Sequence, residues 1–266
     1  MNIILRDPTK CDALTTIFQY IKLFTDNVNI SIKEDKFEIQ TMDSSHISIL
    51  ELSIPSSWFE VFTISQPVVI GVHSSILFKI LSTREKYQTI EFKYDIGDTD
   101  KLFIQFKNDE NIKLDKVFDK NFEIPLVDLD YEALSVPEID YQAEFTLPSG
   151  HFTALINQLK IFGDSLEINC TEEQIMLFSH STTFGKMSVD IKIDDLNSFS
   201  IVEGETLRIA YSLNHIYNMV QFYKLSPNVE ISIKTDYPLK LVYSISGSPD
   251  AKLVMYLAPQ ITIEDT

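Results

Sequence analysis

The run Asp43-Ser44-Ser45-His46 puts acid, hydroxyl and imidazole side chains next to one another in sequence. Nucleophilic catalysis needs those groups to converge, whereas consecutive residues on a turn or strand point apart, so His46 reads as a surface or pocket residue. His73, His151, His180 and His215 are scattered without metal-ligand spacing. Asp98 with Asp100 and Asp194 with Asp195 offer oxygen donors for a divalent ion, but paired acids are also ordinary in solvated turns. Cys11 and Cys170 are the only cysteines, too few for a disulfide framework or a cysteine zinc site, which favours a reducing compartment. No Gly-rich phosphate loop, HExxH, GxSxG or CxxC occurs among only 7 glycines. No catalytic residue, metal or cofactor is expected, and nothing argues for an enzyme.

The elements that hold these residues fall into two similar halves around residues 126–141, LVDLDYEALSVPEIDY. Asp128, Asp130, Glu132, Glu138 and Asp140, with no basic residue, argue against a buried strand, and Pro137 lacks an N–H for a central one. Leu126, Leu129, Leu134 and Val136 are too apolar for a free spacer, so this linker should lie along the domains it joins. The expected division is 1–125, linker 126–141, and 142–266.

In the first half, Cys11, Leu14, Ile17, Phe18 and Ile21 recur at helical spacing, giving a helix over 9–22. Alternation over 28–32, 37–41 and 46–54 gives a meander. A second helix follows over 74–81, with Ser74 or Ser75 as a cap, then a hairpin of 87–94 with 102–107 and one strand over 115–124. The second half repeats the order: helix 149–161, strands 166–170, 174–178 and 187–193, a helix near 211–223, and strands 229–234 and 239–245. At an offset of 136, Ile30 falls on Leu166, Ile32 on Ile168, Ile39 on Ile175 and Met42 on Phe178; residues 102–107 fall on 240–245 at 138. The fold class is α+β, two domains of one topology, each with two helices on one face of antiparallel sheets.

With 266 residues and 44% hydrophobic content the chain can build real cores. No apolar run has the ~20 residues of a membrane helix, and the start lacks a signal pattern, so the chain reads as soluble and not secreted. Its net charge of −17 would repel a polyanion, yet the four helical segments carry +5, through Lys10, Lys22, Lys79, Arg84, Lys86, Lys160 and Lys224 against two acids, which leaves −22 for the rest. Thr, Ser, Asn and Gln fill out their polar sides, a composition suited to loose phosphate contact without base readout. Ordinary solvated helix faces would give the same counts.

Ile39–Leu52, IQTMDSSHISILEL, resembles the strand-turn-strand of the proliferating cell nuclear antigen (PCNA) family, whose hallmark is MDSSH. The linker resembles that family's interdomain connecting loop, LPSGHF (147–152) its third-helix start, and YLAP (256–259) its C-terminal tail, all in the family's order and near its spacing. The resemblance implies a DNA-clamp fold: a homotrimeric ring around double-stranded DNA, helices lining the hole, which tethers DNA polymerase and is opened by a clamp loader. It implies a peptide-docking pocket of Met42, His46, Ile47, Ile49, Leu134, Val136, Pro137, Pro238, Tyr256, Leu257, Ala258 and Pro259, suited to aromatic and aliphatic anchors. It implies subunit contacts through Phe118, Phe122 and Ile124 against Phe184, Met187 and Val189 of the next subunit.

The chain departs from the family in places. Ala154, Asn157 and Ile161 stand where relatives often carry basic residues or His, Glu172 replaces a lysine that many eukaryotic relatives present, and 214–228 is about three residues longer than usual. Attachment of a ubiquitin-like protein at 172 is therefore not expected. Such divergence fits a large DNA virus or an unusual eukaryote, hence a nucleus or a cytoplasmic viral replication site. The alternatives are a subunit of a heterotrimeric checkpoint-type clamp, a monomeric processivity factor held by charge, which should need a more basic face, and a metal-dependent nuclease built on paired aspartates.

Overall fold

The computed structural model describes residues 1–95, 97–108, 117–130 and 134–261. Two compact units emerge: Met1–Ser44, Leu50–Leu134 and Ser244–Leu253 form the first, and Ser45–Ile49, Ser135–Tyr243 and the chain from Val254 the second.

The first half of the chain runs β1 (Asn2–Leu5), α1 (Pro8–Ile21), β2 (Asn27–Ile32), β3 (Lys36–Met42), β4 (Ser48–Pro55), β5 (Val61–Thr63), β6 (Val68–His73), α2 (Ser74–Leu81), β7 (Gln88–Asp95), β8 (Asp98–Asn108) and β9 (Lys120–Pro125). One sheet has the order β5-β1-β7-β8-β9, and β4-β3-β2-β6 lie side by side in another. Helix α1 begins where Pro8 pre-sets the backbone and the Asp7 carboxylate accepts from the Thr9 and Lys10 N–H groups, a cap worth about 1 kcal/mol. Its apolar face, Cys11, Leu14, Ile17, Phe18 and Ile21, is fully buried, as the spacing predicts, and α2 packs beside it. The Cys11 thiol donates to the Leu5 carbonyl, and burial pushes it up to about 12, so it is inert at neutral pH. The expected serine cap of α2 is not made. His73 occupies the cap position, while the Ser74 hydroxyl turns back to the Thr25 and Asp26 carbonyls.

The second half repeats the order: β10 (Ala143–Pro148), α3 (Ser149–Leu159), β11 (Ser165–Cys170), β12 (Gln174–Ser181), β13 (Gly185–Lys192), β14 (Ser198–Ile201), β15 (Leu207–Ser212), α4 (Leu213–Val220), β16 (Asn228–Ile233), β17 (Leu239–Ile245) and β18 (Ser248–Leu257). The sheets run β14-β10-β16-β17-β18 and β13-β12-β11-β15. The helix expected near 211–223 is shorter: Tyr211 belongs to β15, and after Val220 the chain tightens into a 3-10 turn, Gln221–Lys224. Strands β1, β5, β6, β10, β14, β15 and β18 add to those expected. Of the strand expected over 115–124, residues 115 and 116 lie outside the described residues, 117–119 are not strand, and β9 begins at Lys120.

The repeat is real, but its register differs from expectation. Ile30 faces Ile39 in the first meander and Ile168 faces Leu177 in the second, so the ladders superpose at an offset of 138, not 136. Side chains alternate with a period of two, and a shift of two leaves every residue on the same face. Hydrophobic pattern alone cannot see it.

The linker is fastened to the first unit. Val127 N–H donates to the Gly71 carbonyl, Asn29 Nδ2 donates to the Asp130 carbonyl, and the Gln40 amide bonds both the Leu134 N–H (2.6 Å) and the Leu134 carbonyl (2.7 Å). Gly71 is required there: an added Cβ would collide with the Val127 carbonyl oxygen. Linker residues Tyr131, Glu132 and Ala133 lie outside the described residues.

Candidate docking surface and helical face

Between β3 and β4 the chain turns through residues 43–47, and His46 adopts a left-handed conformation, φ +59°. A non-glycine residue holds such a backbone only when its neighbours fix it. On one side the Ser45 hydroxyl lies 3.2 Å from His215 Nε2, and His215 Nδ1 lies 2.9 Å from the Ser212 hydroxyl at the start of α4. On the other, the Ile47 carbonyl accepts from Ala258 N–H at 2.9 Å. The tail is then tied down by Gln260, whose N–H donates to the Ala210 carbonyl and whose side-chain carbonyl accepts from the Ser165 hydroxyl. The imidazole that Ser45 meets is therefore His215, oriented by a neutral hydroxyl, and not its sequence neighbour His46. Sequence reading missed this link, since nothing in the run 43–46 points to residue 215.

The expected docking residues are distributed as follows. In the second unit, His46 is exposed, Ile47 is 38% exposed, and Ile49, Val136, Pro238, Tyr256, Ala258 and Pro259 are half-buried, while Pro137 is exposed. Leu257 is fully buried and belongs to the core, so it supports the surface without forming it. In the first unit, Met42 is half-buried at the end of β3, and Leu134 is half-buried and held by Gln40. A groove of about 510 Å³ in the second unit is lined by Val136–Tyr141, Glu144, Lys240 and Tyr256. Its acids, Glu138, Asp140 and Glu144, outnumber Lys240, whose ammonium lies 5.7 Å from the Tyr141 ring centroid. Burial and then the Glu144 carboxylate push the Tyr141 hydroxyl upward, which keeps it a neutral donor. Glu144 and Lys240 carried no signal in the sequence, because they reach the groove from β10 and β17, outside the linker.

The basic helical residues divide into two kinds. Lys10 and Arg84 are internal ties. Lys10 Nζ donates to the Trp58 carbonyl (2.5 Å) and pairs with Glu60 (3.3 Å), while the Arg84 side chain, 3% exposed, grips Asp12 and the carbonyls of Glu85, Lys86 and Gln88. These two do not present charge to a ligand as expected, because carboxylates and carbonyls already occupy their donors. Lys22, Lys79, Lys86 and Lys224 are exposed and Lys160 half-buried, and none makes an ion pair among the described residues. The uncharged Ala154, Asn157 and Ile161 are all exposed on or just after α3.

Of the expected contact residues, Phe118 is 75% exposed, Phe122 half-buried with its ring 5.3 Å from Phe106, and Ile124 buried. Phe184 is 68% exposed, and Met187 and Val189 are half-buried on β13. Among the described residues no group of three or more His, Cys, Asp or Glu side chains is placed to hold a metal ion.

Family models match nearly the whole chain. That of the proliferating cell nuclear antigen N-terminal domain covers residues 9–133, and that of the C-terminal domain covers residues 135–261.

Proposed function

Because the chain belongs to the proliferating cell nuclear antigen family and so takes a sliding-clamp role in DNA replication, we propose that it closes as a homotrimeric ring around duplex DNA and docks polymerase, loader and other replication proteins through short peptides. The observation that carries ring closure is the state of the sheet ends. Exposed strand edges are a liability that proteins shorten or cover. Of β5, β6, β9, β13, β14 and β15, the strands with a sheet neighbour on one side only, β5 and β14 have three and four residues, β6 is bridged by the linker at Gly71, and β15 is bonded by Gln260. That leaves β9 and β13, of six and eight residues, with no backbone cover on their outer side among the described residues. One uncovered edge in each unit suits head-to-tail pairing, which removes all such edges when the ring closes.

Inside such a ring the helices would face the phosphates with Lys22, Lys79, Lys86, Lys160 and Lys224, and topology would supply retention, so contact stays weak and sliding easy. Docking would use the Ile47, Ala258 and Pro259 surface with Tyr256, Val136 and Pro137, its backbone already fixed before a peptide arrives. Light scattering tests the ring. A mass of about three times the chain's 30.6 kDa is expected, and a monomer at every concentration would overturn topological tethering. Retention on nicked circular duplex with escape from linear duplex, after loading, tests encirclement.

A further inference from the structure

Lys22 and Lys160 occupy the same place in the two halves, each capping the C terminus of its unit's first helix, α1 or α3. Phe78 and Tyr217 correspond too, each the fifth residue of an eight-residue helix, α2 or α4. In the first unit the Lys22 ammonium sits 4.3 Å from the Phe78 ring centroid, and in the second the Lys160 ammonium sits 3.8 Å from that of Tyr217. The same cation-on-ring contact is thus built twice, although one ring is Phe and the other Tyr, and the flanking sequences differ. What the two rings share is an aromatic face.

A ring holds an ammonium differently from an acid. Glu60 and Asp12 neutralise Lys10 and Arg84 as they fix them. An aromatic face attracts the cation through its quadrupole, leaves the full positive charge in place, and leaves N–H donors pointing away from the ring. It also removes rotamer freedom that a long lysine would otherwise lose on meeting a phosphate. Each lysine further stands at a helix C terminus, where the helix dipole favours a cation.

We propose that Phe78 and Tyr217 are positioning residues that seat Lys22 and Lys160 for phosphate contact, a twice-built device that recurs in every subunit. The proposal rests on the reading of the helical face as the DNA side. The test measures affinity for a short mixed-sequence duplex across a low-salt series. It compares the parent with K22A/K160A, the ring-removing F78L/Y217L, and the ring-keeping F78Y/Y217F. Removing both lysines should weaken binding and flatten the salt slope by about 0.9 for each phosphate that is no longer neutralised. Removing both rings should weaken binding by about two- to fivefold per site with the slope kept, since the charge remains, and the ring-keeping pair should bind like the parent. Upfield ring-current shifts of the two lysines' ε-methylene protons, present in the parent and absent from F78L/Y217L, would report seating independently of DNA. Parent-like binding by F78L/Y217L while K22A/K160A binds weakly would overturn the positioning role alone. Unchanged binding by K22A/K160A would instead overturn the DNA-side reading of these lysines.

Discussion

Changing Phe122 to Ala should dissociate the proposed ring at protein concentrations where the parent remains closed. Phe122 lies on β9, opposite Ile104 on β8, with its ring against Phe106 and its side chain half-buried in the protomer. Complete burial of a Phe side chain stabilises by about 1.5–3 kcal/mol, so the half still open leaves about 1 kcal/mol for a neighbouring subunit to contribute. A closed trimer has three identical interfaces, so the association free energy falls by about 3 kcal/mol, roughly 150-fold in the equilibrium constant. The midpoint concentration of a monomer-trimer equilibrium follows the square root of that constant, which gives a shift of about tenfold. Light scattering over a dilution series reads the shift directly. The variant also removes the ring packing against Phe106, about 0.5–1.5 kcal/mol of protomer stability, so both proteins should be melted at a concentration where both are monomeric to separate the effects. A midpoint equal to the parent's, with the variant folded, would remove β9 from the interface.

Other substitutions probe other parts. Ile47→Asp places a charge on the exposed apolar turn and should weaken a peptide with aromatic and aliphatic anchors at least tenfold by calorimetry, with the melting temperature little changed; undiminished affinity would locate docking elsewhere. Gln40→Ala removes both hydrogen bonds to Leu134, and amide exchange at Leu134 should quicken by about one to two powers of ten, whereas parent-like protection would mean the linker is held by its other anchors. Burial would push the Glu91 carboxyl up, but hydrogen bonds and charge from Lys107 and Lys93 outweigh it and hold it below 4.5. Its folded pKa is below its unfolded one, so its stabilisation is present above the unfolded value and lost as pH falls through the folded value. Acid unfolding followed through Trp58, the single tryptophan, should therefore depend less on pH below about 4.5 in Glu91→Gln than in the parent, and identical pH profiles would sink this assignment.

Much of the fold could be read from periodicity, and the omissions have physical causes. Helix α1 announces itself because five apolar residues recur on one face and all five are buried. Strands β1, β5 and β14 have four, three and four residues, at or below the shortest run in which alternation argues for a strand. Strand β18 is a different case: Ala251, Leu253, Met255 and Leu257 alternate inward without interruption, so its period-two signal is present in the sequence and a strand there was legible. The repeat offset is not legible in the same way, since only cross-strand pairs such as Ile168 with Leu177 set the register.

The site divides along a similar line. The linker's anchoring hydrophobes predict that it lies against a domain, yet its strongest polar fastening is the Gln40 amide, a residue that alternation marks merely as solvent-facing on β3. The same limit governs the helical charges. Counting gives Lys10 and Arg84 the same weight as Lys22 and Lys160, but partners distant in sequence decide what each can do: Glu60 lies fifty residues from Lys10 and Asp12 seventy-two from Arg84. Once those two are neutralised, the basic helical residues that remain are lysines, and the two that cap helices are held by rings. Charge composition predicts that a helical face is basic, whereas the packing of acids and rings around each cation decides which charges remain for a phosphate.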